Sequence, residues 1–236
     1  MIDFILKELI IIAHFFHVTR DVLLLFIPVI VIILVGTAKF DIIPNKIQSI
    51  FELIYEFLET QIRGLYHSAE DYKYWMPFIL TLFFYVLIHN LAGLIPRGHS
   101  LTANIYVTGS LACMVILISI FMGIKNKGVI SFFVDLTPSG VAWPMRVIMF
   151  PLELVSLVSK AFSLGIRLYA NMFAGHLTIM ILLSLTETIK SIFFVPFDII
   201  VLTVMMLFEL MVAFIQAYVF AYLSAIYVTD NMYKGH

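Results

Sequence analysis

The chain has 236 residues, 62% of them hydrophobic and 12% charged, with a formal net charge of -1 and a mean hydropathy of +1.06. These values lie far from those of a soluble globular domain and make a bilayer the expected solvent. The charge balance offers no basic surface for nucleic acid, and the single Cys113 provides neither a disulfide framework nor a cysteine metal site.

Met1 to Arg20 is apolar but interrupted by Asp3, Lys7 and Glu8, and it carries no small-residue cleavage site, so it is not read as a removed signal. His14 and His17 stand one turn apart, but no third ligand accompanies them and no metal site is assigned. Asp21 and Lys39 bracket a first span, Val22 to Ala38, close to the roughly 20 residues needed to cross a hydrocarbon core about 30 Å thick. Between the first and second spans Ile47, Ile50, Phe51, Ile54, Leu58 and Leu65 recur at helical spacing while Gln48, Glu52, Glu56 and Glu59 take other faces. This pattern predicts an amphipathic helix lying flat on the membrane, either as an anchor or with its carboxylates facing a proton vestibule. Trp75 to Ile95 and Val107 to Ile124 are the second and third spans, ended by Pro96-Arg97-Gly98 and by Lys125-Asn-Lys-Gly128.

The last part of the chain calls for longer elements. As one helix, Arg146 to Ile189 is about 65 Å long at ~1.5 Å per residue, and no proline falls between Pro151 and Pro196 to break it. Phe193 to Val228 is of similar character. The expectation is two long, tilted antiparallel helices joined near residues 187 to 196. The fold class is therefore an all-α membrane protein with three upright spans, one interfacial amphipathic helix and a C-terminal helical hairpin. It is read as a single membrane domain over 1–236, made of an N-terminal region (1–73), two spans (74–128) and the hairpin (129–236).

Charge inside this hairpin carries the functional signal. Arg167 lies in the apolar stretch Val147 to Ile189, where an always-charged guanidinium costs several kcal/mol and is kept for a use such as an anion or an ion pathway. Arg146, Glu153, Lys160 and Arg167 follow at intervals of seven, which drifts only ~20° per step, so they share one helix face; Asn171 lies one turn further on. On the second arm Asp198, Glu209 and Gln216 return almost to one direction. Folding the hairpin puts Arg167 level with Gln216 and His176 level with Glu209. Nine residues rotate an ideal helix by half a circle, so His176 points away from Arg167 unless the helix bends near Gly175 or two faces serve two routes. Loop Lys and Arg divide eight against four between the two sides, which places the hairpin turn, and the His176–Glu209 level, on the outside.

The strings Pro151-Leu-Glu153-Leu and Arg167-Leu-Tyr-Ala-Asn171-Met-Phe-Ala-Gly-His176, with Glu209 and Gln216 in the last helix, resemble subunit a of the rotary F-type ATP synthase. Asn90-Leu-Ala-Gly93-Leu-Ile-Pro96 and Thr108-Gly-Ser-Leu-Ala112 look like that family too, and the resemblance extends over residues 74 to 223. The arrangement of His and Glu is similar to the mitochondrial and related bacterial form; Lys160-Ala161 departs from the Arg-Pro common there. The resemblance implies a stator facing a ring of c subunits, with a peripheral stalk and other Fo subunits as partners and protons as cargo. It also implies the mitochondrial inner membrane, with a bacterial plasma membrane as the alternative. In this reading Arg167 separates two proton half-channels, and His176 and Glu209 form either an inlet relay or a structural ion pair. Asn171 and Gln216 position groups near Arg167. Glu153 serves the inner exit or pairs with Lys160, and Asn90 and His89 line the outer cavity or join helices by hydrogen bonds. No cofactor is expected. From the residues alone a proton-coupled secondary transporter with an Arg/Glu/His site also fits, although such carriers show related halves with broken helices and no such repeat is seen here.

Overall fold

The structure, a computed structural model, describes residues 45–94, 101–135, 143–189 and 195–233, together with 26 and 28–30. The chain divides into two compact units, Met1–Ile43 and Pro44–His236. In the first unit the described residues are helical; most of the predicted span Val22 to Ala38, the His14–His17 pair, Pro96-Arg97-Gly98 and residues 190–194 of the hairpin turn lie outside the described residues. In the second unit the elements are α1 (Lys46–Ile62), α2 (Ala69–Leu94), α3 (Ile105–Lys127), α4 (Val129–Asp135), α5 (Trp143–Ile189) and α6 (Val195–Tyr233), with short 3-10 turns at Arg63–Leu65 and Leu101–Ala103. Among the described residues there is no strand.

Helix α1 follows the predicted period, but its burial rises along its length. Ile50 is exposed, Phe51 and Ile54 are half-buried, and Leu58 and Ile62 are fully buried. The helix meets α2 and α6 through its C-terminal half, and Ile50 at the other end of the apolar stripe is left exposed.

Four helices among the described residues are long and apolar enough to cross a membrane: Ala69–Leu94, Ile105–Lys127, Pro144–Leu182 and Ile199–Tyr233. The second pair forms the hairpin. At 47 and 39 residues, α5 and α6 are about 70 Å and 58 Å long, well beyond a 30 Å core, so each must tilt or project from it. Lys160 meets Asp230 at one end of the pair and Gly175 meets Glu209 nearer the other, which makes the arms antiparallel. Helix α5 runs without interruption through Pro151 and Gly175.

Lipid provides no hydrophobic drive for helix association, so the helices are held by close fit and by interhelical hydrogen bonds. Ala213, Ala217, Ala221 and Ala225 recur every fourth residue on α6 and are all buried, which lets neighbouring backbones come near. Helix α3 presents Thr108, Ala112, Ser119 and Gly123 in the same way. A Cβ on Gly165 of α5 would stand 3.3 Å from the Ala112 Cβ, the Gly109 Cα and the Thr108 carbonyl oxygen, so α3 and α5 touch nearly backbone to backbone. Larger side chains fill the rest of the core, with Ile79, Phe83 and Val86 from α2, Val115 from α3, Leu164 and Leu168 from α5, and Phe220 and Val228 from α6.

Candidate functional site in the helical hairpin

Arg167 is exposed. Helix α5 turns Leu157, Leu164, Leu168 and Met172 into the protein, and Arg167 stands beside that stripe, facing outward. Ser163, Ala170 and Ala174, at i-4, i+3 and i+7 from it, are exposed on the same side. Short side chains thus flank the cation on its own side of the helix, and Val158, Phe162 and Phe173 are exposed further round it. Toward the N-terminal end of α5 from it, Lys160 is half-buried, as are Glu153 and Arg146.

His176 points the other way. It is half-buried on the side of Met172 and Leu168, half a turn of the helix from Arg167. Because α5 is unbroken at Gly175, the two residues occupy opposite faces of one continuous helix, in the arrangement of two faces rather than a bend.

Glu209 of α6 is buried, neither carboxylate oxygen has a hydrogen-bond partner among the described residues, and the carboxyl lies directly on the backbone of Gly175. A Cβ at position 175 would overlap Oε1 and stand 2.9 Å from Cδ. His176 is within electrostatic range of this carboxylate, and its Nε2 is also buried without a partner. Two titratable groups therefore sit at one depth in the seam. Leaving such groups unpaired costs about 1–3 kcal/mol each.

Gln216 lies two turns along α6 on the same buried stripe, its amide nitrogen also unpartnered. It faces the helix seam while Arg167 faces out, and among the described residues neither Gln216 nor half-buried Asn171 hydrogen-bonds the guanidinium; the phenol of Tyr227 lies within Arg167's electrostatic reach instead. The expected Arg–Gln level is a shared depth and not a contact.

Asn90 is fully buried: its amide nitrogen donates to the Ala213 carbonyl at 3.3 Å and its oxygen accepts from the Thr102 hydroxyl at 2.9 Å. It ties α2 and the Leu101–Ala103 turn to α6 between the levels of Glu209 and Gln216. The neighbouring His89 is buried, with Nδ1 2.9 Å from the Tyr85 carbonyl and Nε2 unpartnered. Lys160 donates to Asp230 across the hairpin at 3.2 Å. Asp230 is not among the residues that the polar stripes single out, yet the midpoint of residues 160 and 230 falls at 195, inside the predicted turn, so the folding geometry that pairs His176 with Glu209 also brings Asp230 level with Lys160. The sequence offers Gly175 as a place to bend, and nothing in it marks this glycine as the seat of a carboxyl group. Among the described residues no group of three or more His, Cys, Asp or Glu side chains could hold a metal ion.

Residues 20–229 match the sequence model of the family described as ATP synthase A chain. The ATP synthase subunit a of Hyphomonas neptunium is 34% identical over 203 residues, covering 84% of this chain and 79% of its own length. That of Beijerinckia indica is 34% identical over 210 residues, with 87% and 82% covered. The protein of the same name from Methylobacterium sp. strain 4-46 is 33% identical over 247 residues, with 99% and 96% covered. With an exposed arginine at mid-helix, a half-buried His176 beside a buried Glu209 on the opposite face and a match over nearly the whole length, the chain belongs to the ATP synthase A chain family.

Proposed function

We propose that the chain is the stator subunit a of the Fo sector of a rotary ATP synthase, a non-catalytic subunit that conducts protons to and from a ring of c subunits. The family assignment replaces the transporter alternative. The relatives are bacterial, so the membrane is a bacterial plasma membrane in preference to the mitochondrial inner membrane that the resemblance alone suggested. The peripheral stalk and other Fo subunits hold this chain still while the ring turns.

The observation that carries the site assignment is the position of Arg167, a permanent cation facing out from a membrane helix among small side chains. Short neighbours let a rotor helix approach closely, and a fixed guanidinium favours the ionised form of a passing carboxyl group while repelling a proton that would cross directly. Lysine is a poor substitute, since it loses its proton on desolvation and lacks the planar fork that grips a carboxylate. On the opposite face, half-buried His176 and buried Glu209 relay protons inward from the outer side; Gln216 and Asn171 position groups near the route without carrying charge, because amides do not titrate. Asn90 fixes the α2–α6 wall of this inlet, with His89 beside it. Glu153, on the face of Arg167 and nearer the inside, serves the exit. Each proton carries about 2.3 kcal/mol per 100 mV, so the ring collects several for each ATP.

The test is Arg167→Ala in membranes carrying the whole complex. Coupled ATP synthesis is lost although the subunit assembles; near-normal synthesis with intact assembly rejects the assignment.

A further inference from the structure

Three observations meet at the end of the hairpin away from its turn. Lys160 donates from Nζ to Oδ2 of Asp230 at 3.2 Å, and the ammonium stands 5.4 Å from the ring centre of Tyr227. Lys160 lies seven residues from Arg167, so it shares that face with a drift of only ~20° and sits about 10 Å further in along the axis. Asp230 comes from the most firmly held turns of α6. Asn231 next to it donates to the Ser119 hydroxyl at 2.9 Å, the Tyr233 hydroxyl donates to Asp71 at 2.6 Å, and Val228, Asn231 and Met232 are buried. A well-packed end of α6 therefore presents a carboxylate to the Lys160 ammonium across the hairpin.

A second cation on the face of Arg167 has a cost for the rotary mechanism. An ammonium left without a counter-charge would attract the ionised rotor carboxylate at a second depth and hold it past the point where it should move on. A carboxylate within hydrogen-bond distance cancels most of that attraction. The other charged or titratable groups nearby are Glu153, seven residues further in on the same face, and Tyr227, which lies within electrostatic reach of both Arg167 and Asp230.

We infer that Asp230 is a positioning residue that neutralises Lys160, so that Arg167 is the cation the rotor carboxylate meets on this face. The inference rests on the stator reading above. Its test uses membranes containing the complete ATP synthase, with ATP synthesis, ATP-driven proton pumping and the content of this subunit measured for Asp230→Asn, Asp230→Glu, and the double variant Lys160→Gln with Asp230→Asn. Asp230→Asn should assemble and lose activity severalfold. Asp230→Glu, which keeps the charge, and the double variant, which removes both charges, should work close to the unaltered complex. Wild-type activity in Asp230→Asn overturns the inference, as does a double variant no better than Asp230→Asn, because the carboxylate would then act in its own right. If Asp230→Asn fails to assemble, the double variant decides alone: assembled and active supports the inference, unassembled overturns it. Arg167→Ala run alongside separates the two levels, since coupled synthesis in that variant removes the stator reading whatever Asp230 does.

Discussion

Gly175→Ala is the sharpest perturbation the hairpin offers, since it adds one methyl group at a place where a carboxyl group already lies. The new Cβ would overlap Glu209 Oε1, stand 2.9 Å from Cδ and lie 3.4 Å from Cγ. Carbon atoms pack at about 3.5–4.0 Å, so the carboxyl must retreat by roughly 0.5–1 Å. Overpacking of this kind costs about 1–3 kcal/mol in a rigid core; here the obstructing atoms are the free end of a flexible side chain, so the cost to stability falls at the lower end and the subunit should still assemble. The functional cost is larger, because the carboxyl retreats from the His176 side of the seam and a misplacement of about 1 Å between reacting groups can lower a rate by as much as ~10²-fold. The assay is ATP-driven proton pumping in inverted membranes, normalised to assembled complex, with Glu209→Gln as the reference for complete loss of the carboxylate. Gly175→Ala should fall between the unaltered complex and Glu209→Gln. Pumping at the full rate in a well-assembled Gly175→Ala complex would refute the reasoning that the seat of Glu209 matters.

Two other substitutions probe the same region. His176→Ala removes the imidazole beside Glu209, so the relay reading expects the pH profile of proton flux to change, whereas an unchanged profile assigns His176 a structural pairing with Glu209. Asn90→Ala breaks the bonds to Ala213 and Thr102; at about 0.6 kcal/mol for an average hydrogen bond between membrane helices, with a term for the small cavity, it should destabilise the subunit by roughly 1–3 kcal/mol. A lower temperature of dissociation in detergent measures this, and a complex as heat-resistant as the unaltered one speaks against the bridging role.

Much of the architecture is legible in the order of residues. Long apolar runs set the membrane class, the lack of a proline between Pro151 and Pro196 predicts an unbroken first arm, and the folding midpoint alone brings His176 level with Glu209. Arg167 announces itself because a charge in an apolar run has few reasons to persist. What hydropathy could not reveal is which apolar face packs and which meets lipid or a partner, since in a bilayer both are equally hydrophobic and the contrast that identifies a soluble core is missing. Only the packed helices show that Arg167 turns outward while Gln216 turns into the seam, that Asn90 bridges to Ala213 and Thr102, and that Lys160 reaches across to Asp230. Those outcomes depend on where small residues such as Gly165 and the α6 alanines let backbones touch, a matter of three-dimensional fit that periodicity along one helix does not contain.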